Sequence, residues 1–203
     1  MELTLEVFAR VVVIACALSL LTFGLAILAV ERLSRRSAPV EHETGPLALV
    51  NYVGIIGFVV VSLMSAVTML GTIPAPAGPL YAAAVVIATV FLAVAGFFAV
   101  WGYRSLGREF SSEAEVRTDT VLVTHGAFGL VRHPMYLAIL LLWAASALAL
   151  ASPVMALCWL ALIPAFVARS QAEERILTRH IGNTYATYAA RVPMLVPGWP
   201  MHR

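Results

Sequence analysis

The chain has 203 residues, of which 61% are hydrophobic and only 12% are charged. A soluble domain of this size could not bury so much apolar surface, so the composition excludes an ordinary soluble protein and predicts an integral membrane protein. The net charge of +2 is too small to indicate a nucleic-acid partner, and both cysteines lie in apolar runs, which argues against a disulfide framework.

Three long apolar runs occupy the first half of the chain. Residues 11–30 carry no charge and are long enough, at about 1.5 Å per residue, to cross a hydrocarbon core of about 30 Å. The second run covers residues 47–73 and the third residues 80–103, with a turn rich in proline and glycine between them. We therefore expect three transmembrane helices within residues 1–103, with a loop at 31–46 after the first.

The next apolar run, residues 134–168, is too long for one membrane helix. A single helix of that length would measure about 52 Å, far more than a bilayer requires. Ser152 and Pro153 lie near its middle, and proline removes a backbone donor and disfavours helix at the residue before it. The sequence therefore predicts a helical hairpin with two short arms, a kink at Pro164, and five membrane segments in an all-α protein.

The distribution of arginines predicts the orientation of these segments. Arginines follow the first, third and fifth segments, whereas the turns after the second and fourth carry no charge. Under the positive-inside rule, the N-terminus lies outside the inner or plasma membrane and the C-terminus lies in the cytoplasm. Residues 31–46, 104–132 and 169–203 are then cytoplasmic. We expect two parts: residues 1–103 with three helices, and residues 104–203 with the loop, the hairpin and C-terminal helices.

Ionisable residues flank the predicted hairpin at both ends. Arg132 and His133 come directly before it, and Arg169, Glu173 and Glu174 follow it on a continuation of the fifth helix. Because the two ends of a hairpin emerge on the same side, we expect these five side chains to meet at the cytoplasmic surface. Ionisable groups so close to a membrane interior are functional candidates. Membrane-anchoring arginines and a surface ion pair of the glutamates are the simpler alternatives.

The sequence contains few other signs of a catalytic centre. His133 and Glu173 could supply two metal ligands, but the chain has no HExxH motif and no cysteine and histidine pairs at ligand spacing, so we predict no metal site. It also lacks a GxSxG motif, a P-loop and a glycine-rich dinucleotide motif. The residues alone thus predict a polar site at the cytoplasmic side of a membrane.

Three motifs follow one another in the second half of the chain. They are Gly126-x-Phe128-x-x-x-Arg132-His133-Pro134-x-Tyr136, then Glu173-Glu174, then Gly182-x-x-Tyr185-x-x-Tyr188-x-x-x-Val192-Pro193. This pattern, over about residues 104–199, resembles that of the isoprenylcysteine carboxyl methyltransferase family. Related membrane phospholipid methyltransferases share its Arg-His-Pro and paired-glutamate elements. One departure is Phe128, where the family commonly has tyrosine, so the ring is kept and one hydroxyl is lost.

The resemblance implies a methyltransferase that holds S-adenosylmethionine in a cytoplasmic pocket between the hairpin and the tail. Glu173 would hold the polar end of the cofactor and Arg169 the carboxylate of the substrate, with Arg132 and Glu174 as further catalytic candidates. A carboxylate is ionised at neutral pH, so it needs a cation to orient it and no general base. The cofactor-binding residues implied by the resemblance are Thr120, Val121, Leu122, Val123, Phe128, His133, Pro134, Met135, Tyr136, Glu173 and Tyr185.

The acceptor is expected to be a lipophilic or prenylated molecule that reaches the site from among the membrane lipids. A phospholipid amine or a small thiol is an alternative acceptor, and it would need His133 or a glutamate as general base. A non-catalytic membrane scaffold that keeps the fold is a third possibility. Tyr185, Tyr188 and Arg191 are predicted to lie in a short tail helix that closes the pocket and ends at Val192-Pro193.

Overall fold

The structure is a computed structural model that describes the second half of the chain almost completely and the first half in part. The described residues are 7, 39–42, 50, 53–54, 56–57, 60, 78–106, 115–117 and 121–198. The predicted membrane segment 11–30, Thr120 and most of segment 47–73 lie outside them. Within that second segment, the described residues 50, 53–54, 56–57 and 60 are helical.

The first complete helix, α1, spans Pro79–Leu106 and confirms the third predicted apolar segment. Proline suits the first turn of a helix because its missing N–H would have no partner there. Apolar side chains remain exposed along α1, including Val86, Val90 and Phe97. An apolar helix that leaves such side chains uncovered is suited to contact with lipid.

A helical hairpin follows, as predicted, and consists of α2 (Pro134–Ala149) and α3 (Pro153–Ile181). Ser152 is the N-cap of α3, and its side-chain oxygen accepts a hydrogen bond of 3.4 Å from the backbone N–H of Met155. The short connection includes Ala151 at φ +46°, in the left-handed region that L-residues rarely adopt. The prediction that Ser152-Pro153 reverses the chain is therefore confirmed.

The two arms of the hairpin differ in length. Helix α2 has 16 residues and measures about 24 Å, which is shorter than the hydrocarbon core. Helix α3 has 29 residues because it continues without interruption through Arg169, Glu173 and Glu174 to Ile181. Among the described residues, α1 and α3 are long and apolar enough to cross a membrane. This supports a membrane protein, while the count of five segments and a kink at Pro164, which lies inside α3, stay predictions.

Helices α1 and α2 run antiparallel. The Tyr81 hydroxyl at the start of α1 donates a hydrogen bond of 2.9 Å to the Ala149 carbonyl at the end of α2. At the opposite ends, a Cβ added to Gly102 would lie only 2.9 Å from the sulfur of Met135 and 3.3 Å from Pro134. The absence of a side chain at Gly102 therefore lets the start of α2 approach α1 closely. This contact places the end of α1 beside the residues that precede the hairpin.

The core lies around α2 and also involves the second predicted segment. The buried indole of Trp143 donates a hydrogen bond of 3.0 Å to the Gly54 carbonyl. A Cβ on Gly54 would lie 3.1 Å from the ring of Phe166 in α3. Gly54 thus allows the second segment to pack closely against both arms of the hairpin, as small residues do between membrane helices.

The described part of the chain is helical, as predicted, apart from one short pair of strands. Strand β1 (Pro39–His42) pairs in antiparallel fashion with strand β2 (Glu115–Arg117), and β2 lies against α3. Such short strands have too few residues for an alternating pattern to be recognisable in the sequence. The pairing joins the loop after the first predicted segment to the loop after α1.

The last helix, α4, spans Asn183–Ala189 and is therefore shorter than predicted, because Arg191 lies after it. Gly182, at φ +66°, separates α4 from α3. The chain leaves the helix through a turn in which the N–H groups of Arg191 and Val192 both donate to the Tyr188 carbonyl. We call residues 183–195 the C-terminal strap, because their backbone is hydrogen-bonded to the residues that directly precede α2.

Candidate active site

The approach to the site is a tight loop held by the end of α1. Gly126 has φ +62°, and it begins a 3-10 turn over Gly126–Gly129. The backbone N–H of Ala127 donates a 3.2 Å hydrogen bond to the Ser105 hydroxyl, which in turn donates to the Trp101 carbonyl at 2.7 Å. A Cβ on Gly126 would overlap Ser105 Oγ. The loop therefore requires glycine at this position, and its attachment to α1 directs the chain toward Arg132 and His133.

The first half of the polar site is an ion cluster around Glu174. Arg132 Nε lies 2.9 Å from Glu174 Oε1, and His133 Nε2 lies 3.0 Å from the same oxygen. The Nε–H of Arg132 is not directed at this oxygen, so the arginine contact is an ion pair and not a hydrogen bond. Only 16% of the Glu174 side chain is exposed. The Arg132 guanidinium compensates the charge of this mostly buried carboxylate.

The second half is a hydrogen-bonded chain that we call the tyrosine bridge, formed by Arg169, Tyr136 and Glu173. Arg169 Nε donates to the Tyr136 hydroxyl at 3.0 Å, and that hydroxyl donates to Glu173 Oε2 at 2.9 Å. His133 Nδ1 lies 3.6 Å from the same glutamate oxygen. The histidine ring therefore lies between the two carboxylates, and it joins the ion cluster to the bridge.

Ring packing fixes the direction of the Tyr136 hydroxyl. The rings of His133 and Tyr136 are stacked, with centroids 5.3 Å apart and an angle of 2° between their planes. Phe166 contacts the Tyr136 ring as well, with a centroid distance of 5.1 Å. A buried tyrosine held by two neighbouring rings has little freedom to redirect its O–H group.

The C-terminal strap covers the Arg-His-Pro element with backbone contacts. The N–H groups of Arg132 and His133 donate to the carbonyls of Pro193 and Met194, at 2.9 and 3.0 Å. Arg132 Nη1 also donates to the Ala189 carbonyl at 2.7 Å. The Tyr188 hydroxyl donates to the Phe128 carbonyl at 2.7 Å, which fastens the strap to the 3-10 turn.

Tyr185 and Tyr188 face this charged region from the strap. Burial raises the pKa of Tyr185 well above its usual range, and the negative charge of Glu174 raises it further. Burial also raises the pKa of Tyr188, against an opposing effect of Arg132. Both phenols are therefore neutral at physiological pH and can act as hydrogen-bond donors.

The sequence analysis correctly expected the ionisable residues to meet. The structure brings together Arg132, His133, Arg169, Glu173 and Glu174 at the start of α2 and on the facing part of α3. One of them, Arg169, is almost completely buried, with only 1% of its surface exposed. Among the described residues, no group of three or more potential metal ligands has a geometry suited to a metal ion.

Other predicted cofactor residues occupy different surroundings. The side chains of Pro134 and Met135 face Gly102 of α1, where they contribute to helix packing. Val121 is exposed, whereas Leu122, Val123 and Phe128 are partly buried in the segment that leads into the Arg-His-Pro element. The structure brings Tyr185, which is buried, close to the glutamate pair.

Sequence reasoning missed the contribution of the end of the strap. Met194 and Leu195 are buried, and the carbonyl of Met194 holds the backbone of His133. The available signal was the apolar run Val192–Val196, which is unusual in a tail predicted to be cytoplasmic. From the sequence, Val192-Pro193 predicts only the end of a helix.

Comparisons with known proteins identify the family of the chain. The chain is 33% identical, over 94 residues, to protein-S-isoprenylcysteine O-methyltransferase B of Arabidopsis thaliana, which covers 45% of this chain and 48% of that protein. The chain thus matches about half the length of this relative. The family model described as phospholipid methyltransferase matches residues 83–184, which is half of the chain and includes the Arg-His-Pro element and both glutamates. The chain therefore belongs to the phospholipid methyltransferase family.

Proposed function

We propose that the protein transfers a methyl group from S-adenosylmethionine to the carboxylate of a lipophilic acceptor. The observation that carries this proposal is the tyrosine bridge, which puts a cation suited to a carboxylate and an anion suited to the cofactor on opposite sides of one hydroxyl. The family match and the resemblance to an isoprenylcysteine methyltransferase support the reaction class.

The chemistry of Glu173 fits the ammonium end of the cofactor. Its Oε2 atom accepts a hydrogen bond from the Tyr136 hydroxyl and lies near His133. Its Oε1 atom accepts no hydrogen bond from the described part of the chain. Its side chain is 27% exposed, more than that of Glu174, so a ligand can reach it. His133, Phe128 and residues 120–123 would hold the remainder, with Tyr136 orienting Glu173 and Tyr185 closing the pocket. When bound, S-adenosylmethionine supplies a sulfonium methyl that is already activated, which leaves positioning to the protein.

Arg169 is proposed to orient the acceptor carboxylate. Its Nε is held by Tyr136, so the plane of the guanidinium group is defined before an acceptor arrives. The side chain is buried, and in such surroundings an ionic contact with a carboxylate is much stronger than in water. We infer that the acceptor approaches from the apolar side of the hairpin, between helices.

Arg132 and Glu174 are proposed to act beside the reacting groups by holding His133. Glu174 Oε1 lies 2.9 Å from Arg132 Nε and 3.0 Å from His133 Nε2, which sets the orientation of the imidazole. The ring of His133 in turn stacks on Tyr136. In this arrangement the ion cluster keeps the tyrosine bridge in place while the reaction occurs.

The site is proposed to face the cytoplasm, with the N-terminus on the other side of the membrane. The pairing of β1 with β2 supports this arrangement, since it requires the loops after the first and third segments to lie on the same side. Five membrane segments and a division at residues 103 and 104 are part of the same proposal.

Binding of S-adenosylhomocysteine to the purified protein, followed by calorimetry, tests the proposed function. We expect binding by the wild-type protein and its loss in Glu173→Ala. A folded wild-type protein that does not bind would identify a non-catalytic scaffold.

The acceptor class is tested separately with Arg169→Ala. Membrane extracts incubated with a labelled methyl donor would be analysed by mass spectrometry to find the methylated product. Arg169→Ala should abolish methylation of a carboxylate, whereas Arg175→Ala, which changes an exposed arginine of the same helix, should not. Full turnover by Arg169→Ala would instead indicate an amine or thiol acceptor.

A further inference from the structure

Tyr136 connects two charged groups that have separate tasks in the proposed reaction. Arg169, on one side, is expected to meet the acceptor, and Glu173, on the other, is expected to meet the cofactor. The two residues are four positions apart on α3, and the connection between them passes through a hydroxyl of α2. The inference that follows rests on the proposed function of this site.

The direction of the two hydrogen bonds is determined by chemistry. The arginine Nε can only donate, so the Tyr136 oxygen accepts from it. The single hydroxyl hydrogen is then directed to Glu173 Oε2, and within the described ranges Oε1 of that carboxylate accepts no hydrogen bond. Hydrogen bonds in such a chain polarise each other, so the positive charge of Arg169 makes the phenol a stronger donor.

The bridge is rigid as well as polarised. The Tyr136 ring is stacked on His133 and contacts Phe166, and the whole side chain is buried. A change at Arg169 therefore cannot be absorbed easily by rotation of the ring. It must alter the strength or position of the bond to Glu173.

We propose that Tyr136 is a positioning residue that transmits the state of Arg169 to Glu173, so that the arginine on the acceptor side contributes to cofactor affinity without touching the cofactor. The arginine and the tyrosine hydroxyl then act as one unit on the carboxylate. Removal of either one weakens the hydrogen bond that orients Glu173. Removal of both adds little further loss.

The experiment is a double-mutant cycle with S-adenosylhomocysteine as the probe, measured by calorimetry on the full chain. Tyr136→Phe removes the hydroxyl and keeps the ring, and Arg169→Met keeps much of the length of the side chain without its donors. We expect Tyr136→Phe to weaken binding about ten-fold and Arg169→Met about five-fold. The double variant should bind about as weakly as Tyr136→Phe alone.

A matched control separates this role from general stability. Tyr81→Phe removes another tyrosine hydroxyl that is hydrogen-bonded to α2, at the far end of that helix. It should lower the thermal stability by a similar amount to Tyr136→Phe and leave S-adenosylhomocysteine affinity unchanged. A merely structural role of Tyr136 would give the two phenylalanine variants the same affinity.

Each outcome of the double-mutant cycle either supports or overturns the role proposed for Tyr136. Losses that multiply in the double variant would show that Arg169 and Tyr136 act independently and would overturn the inference. If Arg169→Met does not fold, equal affinities of Tyr136→Phe and Tyr81→Phe still overturn it, and a ten-fold difference between them supports it. A folded wild-type protein that does not bind the probe refutes the proposed function, and this inference with it.

Discussion

The two adjacent glutamates of α3 differ in their surroundings, so the same substitution should have different effects at each. Glu174 contacts Arg132 and His133 through one oxygen, whereas Glu173 accepts a hydrogen bond from Tyr136 on Oε2 and none on Oε1 from the described residues. We therefore expect Glu174→Gln to lower mainly the stability of the protein. We expect Glu173→Gln to lower mainly the affinity for S-adenosylhomocysteine.

The expected losses of stability depend on how deeply each carboxylate is buried and on the contacts it makes. Breaking a fully buried ion pair costs about 3–5 kcal/mol, because the remaining charge stays uncompensated. Glu174 is 16% exposed and Arg132 keeps its bond to the Ala189 carbonyl, so we expect a loss of about 2 kcal/mol. For a protein of this size that corresponds to a fall in Tm of about 4–8 °C. Glutamine at position 173 can still accept from Tyr136, so its effect on stability should stay below about 1 kcal/mol.

For binding, the order of the two variants should be reversed. An ionic hydrogen bond from the cofactor's ammonium group contributes about 1.5–3 kcal/mol, so Glu173→Gln should weaken S-adenosylhomocysteine binding about 10- to 100-fold. Glu174→Gln should weaken it less than about five-fold. Thermal unfolding and calorimetry in the same detergent measure both quantities. If Glu174→Gln loses more affinity than Glu173→Gln, the assignment of the two carboxylates is wrong.

Three further changes test other parts of the fold. Gly126→Ala should lower the free energy of unfolding by about 2–4 kcal/mol, because alanine is strained at φ +62° and overlaps Ser105. In the control Gly129→Ala, the added Cβ would lie 3.5 Å from the Thr124 carbonyl, so the cost should be less than about 1 kcal/mol. Similar denaturation curves for the two variants would refute this. Ala151→Gly should raise Tm, since glycine relieves the left-handed conformation at φ +46°, and an unchanged or lower Tm would count against the turn as described. The raised pKa of Tyr188 in the folded protein means that its contribution to stability is complete below about pH 10 and is lost as the pH rises above that value. Tyr188→Phe should therefore be less stable at pH 8 but decline less steeply from pH 10 to 11, and parallel declines of Tm would show that this tyrosine does not titrate in the unfolding reaction.

The hairpin was predictable because its signals are local. An uncharged run that is too long for one span, with Ser152-Pro153 at its middle, has few alternatives to a turn at that point. The meeting of His133 with Glu173 and Glu174 then followed from connectivity, since both ends of a hairpin lie on one side. The third apolar segment was equally clear from its length and composition.

The remaining features depend on contacts between residues that are distant in sequence. Spacing indicated that Arg169 and Glu173 share a helix face, but it carried no information on depth, and so the near-complete burial of Arg169 was not foreseen. The packing of Pro134 and Met135 on Gly102 depends on which helix lies beside α2. The hydrogen bonds between the strap and the Arg-His-Pro element join backbone groups, which nearly all residue types carry, so the sequence does not indicate them.

The strap also affects when the site can form during synthesis. Arg132 and its acceptor at Ala189 are 57 residues apart in the chain. At about 5–20 residues per second, the ribosome adds the second partner about 3–11 s after the first. During that interval the N–H groups of Arg132 and His133 lack the strap carbonyls that hold them in the folded protein. A nascent chain therefore cannot have the finished site before the strap has been made.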